Sequence, residues 1–268
     1  MVSPILRLSP HLPVVWTSAT SIQVGIDPPV ARVTDIPDTA APLLHALSEG
    51  TPASGLAMLA KLHHVSEDWV NHLVKSLRPA FATPSPAEPI RLEAWSTSEA
   101  IGKLSTLARV SGVELVMPKA ITEGQVPTCD TVVLVSDYLV HPRWADQLAR
   151  DNVSHVSVVF SDQTVTVGPL VTSGETPCLV CVELHRRDDM VGWLEVSSQL
   201  WGEQSPLHTP TNQAMAWALL LMFLHPGGTG DRPPGFTRVS YQALEGTVSW
   251  ELIDFHPHCS CRGLSASH

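Results

Sequence analysis

Residues 131–136 read Thr-Val-Val-Leu-Val-Ser, and the fold turns on how that run is taken. Alternation would mean a strand with one wet face. An unbroken apolar run this short, bounded by Asp130 and Asp137, reads as a strand covered on both faces. Such strands belong mainly to parallel sheets whose connections are helices. The flanks agree. Downstream, residues 144–150 are helical in pattern and 155–160 form a second β-branched run. Upstream, 90–94 and 113–117 are further candidate strands, separated by a helical pattern at 98–111 that carries Ile101, Leu104, Leu107 and Ala108. Residues 212–224 read as a buried helix, and 237–241 and 248–253 as closing strands. The expectation for residues 90–268 is a mostly parallel α/β sheet.

Working outward, residues 83–89 carry Pro84, Pro86 and Pro89 and read as an extended linker. Residues 1–82 then form a separate unit. Short β-type stretches come first, at 14–16, 22–26 and 31–33, with a turn at Asp27-Pro28-Pro29. Three helical patterns follow. Asp38 opens one carrying Leu43, Leu44 and Leu47, closed by Gly50. Thr51-Pro52 opens the next, with Leu56, Leu59 and Leu62 expected on one face. Ser66-Glu67-Asp68 opens the third, with Trp69, Leu73, Val74 and Leu77 at helical spacing. A small sheet followed by three short helices is the outline of a winged-helix domain.

Composition narrows the function. The 268 residues are 44% hydrophobic, enough for a sizeable core. Acidic residues outnumber basic ones 26 to 16, a poor balance for clinging to nucleic acid or anionic lipid. The longest uncharged apolar run, 214–224, is too short to span a bilayer as a helix. Residues 1–13 hold three prolines and no apolar run of the kind an export signal needs. The cytoplasm is therefore the expected compartment, with no nucleic-acid or membrane partner.

Four of the five cysteines come in two close pairs. Cys178-Leu179-Val180-Cys181 is a CxxC, and Cys259-Ser260-Cys261 is a CxC near the end of the chain. Each pair puts two sulfurs on one turn, and two such turns can complete a tetrahedron around zinc. Four thiolates leave no open position for water, so the expected role is structural, with one zinc pinning the tail. Disulfides would require an exporting context that the sequence does not offer. His256 and His258 flank the CxC and offer an alternative ligand, or serve as solvated tail residues. Cys129 stands apart as a small buried residue.

Three segments carry a resemblance to a known family. Residues 130–138 (DTVVLVSDY), 167–181 (VGPLVTSGETPCLVC) and 256–261 (HPHCSC) resemble the E1-like adenylating fold of ThiF/MoeB type. The last is similar to a tail found in the subgroup that serves thiazole- and oxazole-modified peptide biosynthesis. That resemblance implies a Rossmann-type α/β domain behind an N-terminal winged-helix domain that recognises a precursor's leader peptide. It also implies a homodimer, and a partner cyclodehydratase of YcaO type. An active member would need a glycine-rich turn after its first strand, where main-chain N–H groups hold phosphate. Residues 92–99 read Leu-Glu-Ala-Trp-Ser-Thr-Ser-Glu, without glycine. Trp95 would fill the phosphate volume, and Glu93 and Glu99 would repel the triphosphate. Ser96, Thr97 and Ser98 read as helix-capping residues. Asp137 is the one remnant of a nucleotide site.

The expectation is thus a non-catalytic, leader-peptide-binding scaffold with a degenerate nucleotide site, a four-cysteine zinc site and no ATP. One alternative is a divergent ATP-dependent adenylating enzyme. Another is a winged-helix regulator, against which stand Glu67 and Asp68 at the start of its would-be recognition helix.

Overall fold

The structure is a computed structural model, describing residues 5–82, 90–122, 124–225 and 227–262. The expected linker at 83–89 lies outside the described residues. The chain divides into two compact units, Met1–Pro86 and Ala87–His268.

In the first unit, β1 (Ile5–Leu6) pairs antiparallel with β5 (Thr51–Pro52). A separate antiparallel sheet joins β2 (Val14–Ser18), β3 (Ser21–Val24) and β4 (Ala31–Val33) in that order. Against it pack α1 (Ala41–Glu49), α2 (Ala53–Leu62) and α3 (Glu67–Leu77). Alternation decides what is buried: Ile22, Val24 and Val33 point inward to meet Leu43, Leu47, Leu73 and Leu77. Ser66 caps α3 by accepting the Trp69 N–H. One expectation fails. Leu62 is 67% exposed. It lies six residues past Leu56, about 120° round the helix from it, whereas Ala60 lies only about 40° away and takes that place in the core. β2 is an edge strand whose Trp16 side chain is exposed.

The second unit is a seven-stranded sheet. Its strands are β6 (Arg91–Ser96), β7 (Glu114–Val116), β8 (Thr131–Asp137), β9 (Ser154–Phe160), β10 (Thr164–Val171), β11 (Thr237–Gln242) and β12 (Thr247–Leu252). Their spatial order is β12-β11-β10-β9-β8-β6-β7. Only the β7-β6-β8-β9 half is parallel, and the other three pairings are antiparallel. The expected mostly parallel sheet is therefore mixed, because β10 goes unread in the sequence. Gly168 and Pro169 interrupt its alternation, and the register shifts between Val167 and Leu170.

Helices α4 (Ile101–Val110) and α8 (Pro210–Leu224) cover one face, burying Val133, Val156, Val158 and Val239 against Trp217 and Phe223. Helix α5 (Pro142–Arg150) covers the parallel half of the other, over Trp95, Val132 and Leu134. Two further helices, α6 (Leu179–Asp189) and α7 (Trp193–Leu200), follow β10. Among the described residues no helix is long and apolar enough to cross a membrane.

The break at Gly168 has a steric cause. Its φ is +92°, and a Cβ there would lie 2.6 Å from the Phe223 ring and 2.8 Å from the Thr237 carbonyl oxygen. Gly168→Ala should therefore cost at least about 2 kcal/mol, from left-handed strain and overpacking together. A urea-denaturation midpoint unchanged from wild type would refute this.

Candidate metal centre and the turn after the first parallel strand

The sheet ends of the second unit bring the two cysteine pairs together. Cys178 is the N-cap of α6 and Cys181 lies in its first turn, so the CxxC sits on a helix start. Cys259 and Cys261 follow β12 on the returning tail. The four sulfurs lie within 4.8 Å of one another. Cys178 to Cys259 is 3.6 Å, Cys181 to Cys261 is 3.5 Å and Cys178 to Cys181 is 3.9 Å. A tetrahedron with metal–sulfur bonds of ~2.3 Å has edges of ~3.8 Å. These spacings fit that tetrahedron and are far too long for disulfide bonds. The cluster can hold a metal such as zinc, with Trp95, Leu148, Val171 and Leu179 packed around it.

The thiols divide their charge unequally. A hydrogen bond from the Cys178 thiol, with the His256 backbone and the Cys261 and Cys259 thiols adding to it, brings the Cys181 pKa down to about 4. The same bond pushes the Cys178 pKa up, and burial raises that of Cys261 to about 11. A divalent cation would take the place of the remaining protons.

His256 is buried, but it does not join the sulfurs. Its Nδ1 accepts the His258 backbone N–H at 3.1 Å, which leaves the proton on Nε2 to donate to Asp188 at 2.9 Å. The neighbouring His185 ring reaches the returning tail as well, its Nε2 lying 3.0 Å from the Asp254 carbonyl oxygen. Both imidazoles thus tie the tail to α6. Cys129 is buried away from the cluster.

The turn between β6 and α4 differs from expectation in an instructive way. Glu93 and Trp95 are strand residues, both fully buried, two apart and on one side of β6. Neither stands in the turn. The Glu93 carboxylate accepts the Trp95 indole N–H at 2.8 Å, the Thr128 backbone N–H at 2.7 Å, the Thr128 hydroxyl at 2.8 Å and the Gln125 amide at 3.3 Å. Burial alone would raise its pKa, but these hydrogen bonds outweigh it and hold the carboxyl below its ordinary value. A depressed folded pKa means that its stabilisation is present above the unfolded value and lost as pH falls through the folded one. Glu93→Gln should destabilise the protein by about 2 kcal/mol near neutral pH. It should also show a shallower loss of stability below about pH 4 than wild type. Parallel pH profiles of the urea midpoint would argue against this.

The turn itself is closed by other groups. The Ser96 hydroxyl donates to the Ser98 carbonyl at 2.8 Å, and the Ser98 hydroxyl accepts the Ala100 N–H at 3.2 Å. The Ser98 hydroxyl also donates to Asp137 Oδ1 at 2.9 Å, and the same oxygen lies 2.7 Å from His208 Nε2. Asp137, the last residue of β8, is therefore engaged by two partners that sequence reading did not supply. Ser98, His208 and Asp137 have the residue types of a hydrolytic triad but not its geometry. Serine and aspartate meet the same imidazole nitrogen, and among the described residues no carboxylate bonds the ring from its far side.

Beside the turn is a cavity of about 270 Å³ whose lining includes Thr97, Asp137, His141, Trp201 and Glu203. Its acids face no lysine or arginine in that lining. Burial, and then Arg143, push the His141 pKa down, so its ring stays neutral near pH 7. The described lining thus carries acidic groups and no fixed positive charge.

No family model and no curated protein matches the chain. Its fold is nevertheless shared by solved structures. A heterocyclase in complex with substrate and cofactor aligns at TM-score 0.68 and 14% identity, over 97% of this chain and 39% of that one. The heterocyclase TruD aligns at 0.64 and 13%, over 96% of this chain and 43% of that one. The chain thus spans less than half the length of these two proteins. Escherichia coli MccB with MccA aligns at 0.65 and 10%, over 97% of this chain and the whole of that one. MccB has also been solved with ATP. At these identities the likeness is one of fold.

Proposed function

We propose that this chain is a non-catalytic scaffold that binds an extended precursor peptide and presents it to a separate modifying enzyme, a cyclodehydratase of YcaO type. In this reading the first unit is a winged-helix-like recognition domain. The second is a degenerate E1-like domain, with one structural zinc on Cys178, Cys181, Cys259 and Cys261. Fold likeness to a heterocyclase solved with substrate, and to MccB solved with MccA, supports peptide handling as the theme.

The observation that carries the proposal is the edge of β2. The Gly25 N–H donates to the Pro13 carbonyl, which makes Pro13–Gly25 a hydrogen-bonded pair in the β2–β3 register. By alternation Val15 bonds inward to Gln23, while the backbone groups of Val14 and Trp16 face outward. An extended peptide can add there as a further strand, with the exposed Trp16 indole as an anchor. The non-catalytic half of the reading is supported by the closed Ser98–Asp137–His208 turn and its acidic surroundings.

The test is fluorescence anisotropy of the full chain with a labelled short peptide encoded beside its gene. Val14→Pro removes one outward N–H and spares the β2–β3 ladder, so it should weaken binding by roughly tenfold with the fold retained. Trp16→Ala should weaken it by at least as much. Unchanged affinity in both variants would remove the edge-strand mode. A second copy of the chain is expected to cover exposed Val191, Leu194 and Leu252 of the second unit. Light scattering should then give twice 29.0 kDa, and a monomer mass at micromolar concentration would count against dimerisation.

A further inference from the structure

The antiparallel half of the sheet keeps one face for α8 and leaves the other facing a cavity. On β9, β10 and β11, the residues Val158, Val165 and Val239 point toward α8. Their neighbours Ser157, Thr166 and Ser240 line a cavity of about 480 Å³ on the opposite side. Helix α6 forms its rim, and the volume lies within the ~300–1,000 Å³ range of small-molecule sites.

Two guanidinium groups line this cavity, and they differ. Arg238 is committed, donating to Glu251 at 2.6 Å. Arg186 is not. Its Cζ lies 3.7 Å from the centre of the Trp193 ring, and its guanidinium makes no hydrogen bond or ion pair with any described residue. The acid one turn earlier on α6, Glu183, is held instead by the Trp193 indole N–H at 3.0 Å. Burial is the main cause that lowers the Arg186 pKa. A guanidinium stacked on a ring keeps its in-plane N–H groups free, arranged as a fork for two oxygens. Glu183 and Asp162 attract it from a distance, but leaving that fork partly desolvated with no hydrogen-bonded anion is unfavourable.

We propose that this cavity is a binding site for a small molecule bearing a single carboxylate, held in bidentate fashion by Arg186, whose guanidinium is itself stacked on the Trp193 ring. The Ser157 hydroxyl donates to the Gly168 carbonyl and those of Thr166 and Ser240 bond each other, and their remaining lone pairs would accept from the ligand's uncharged donors. The rim argues for one negative charge. Glu183, Asp189 and Glu251 outnumber Arg186 and Arg238 there, so a multiply charged phosphate is repelled while a monocarboxylate is tolerated.

The probe is N-acetylalanine, with N-acetylalaninamide as its uncharged counterpart and inorganic phosphate as a second oxyanion. The zinc-loaded full chain is observed through the arginine Nε–Hε signals in NMR, assigned with the Arg186→Gln variant. A saturable shift of the Arg186 signal is expected with N-acetylalanine, at a low-millimolar Kd fitting so small a ligand, of order 1–10 mM. The amide should give none. In Arg186→Gln, followed by ligand-observed saturation transfer, binding should weaken by roughly tenfold or more. If that variant fails to fold, Arg186→Lys keeps the charge without the fork and should still weaken binding several-fold, about fivefold. No saturable shift by about 50 mM N-acetylalanine, an equal response to the amide, or binding of phosphate alone would each overturn the assignment.

Discussion

Cys181→Ser should strip the metal from the second unit and lower its melting temperature by roughly 10 °C, a loss of about 4 kcal/mol for a unit of this size. The expectation rests on where the four sulfurs come from. Cys178 and Cys181 belong to the start of α6, whereas Cys259 and Cys261 belong to the tail beyond β12. With a metal bound, the sulfurs join segments some 80 residues apart in the chain. Without it, the tail's described polar ties to α6 include the His256–Asp188 and His185–Asp254 contacts, which are single hydrogen bonds. Asp188 is exposed, so its hydrogen bond is screened and cannot substitute for metal–thiolate bonds. Chelation of wild type should reproduce the same drop, and Cys129→Ser, away from the cluster, should leave metal content at one equivalent per chain. Full stability of Cys181→Ser without metal would show that the cluster is incidental.

Trp95→Ala should cost about 4 kcal/mol, an effect of similar size by a different route. The indole is fully buried between the sheet and α5, edge-on to Trp144 at 6.0 Å between centroids. Removing it leaves a large void beside the cysteine cluster, since both belong to one packed group. It also takes one donor from the buried Glu93 carboxylate. Trp95→Phe refills part of the void and should recover about half the loss. The readout is urea denaturation at neutral pH. A midpoint within error of wild type for Trp95→Ala would mean that the indole is not the packing centre of this layer.

The sequence shows some of this plainly and hides the rest for identifiable reasons. The run at 131–136 reads as a strand buried on both faces because no charge interrupts it, and it forms most of β8. The cysteine pairs are legible because each ligand lies within three residues of another. Strand β10 is hidden by Gly168-Pro169, whose cause is a neighbouring Phe223 ring that only the folded packing supplies. Trp95 is expected in the turn when the first strand is ended at residue 94, and Glu93 when the turn is read from residue 92. Two more strand residues place the Glu93 carboxylate deep in the sheet, where Thr128 completes its shell. Nothing local marks His208, which reaches Asp137 across 71 residues and Ser98 across 110. Such a cluster is assembled by the β-sheet topology, and no spacing rule finds it.

The non-catalytic half of the scaffold proposal stands or falls on the turn after β6, which in this reading no longer serves nucleotide chemistry. Glycine lets main-chain N–H groups approach phosphate, but here serine hydroxyls, Asp137 and His208 occupy the start of α4. The deciding experiment is titration calorimetry of the zinc-loaded full chain with magnesium and ATP, run with and without the peptide encoded beside its gene. No nucleotide binding is expected in either case, with the peptide still bound. Micromolar ATP binding accompanied by pyrophosphate release on adding the peptide would contradict the proposal, and would make the chain an adenylating enzyme of a divergent kind.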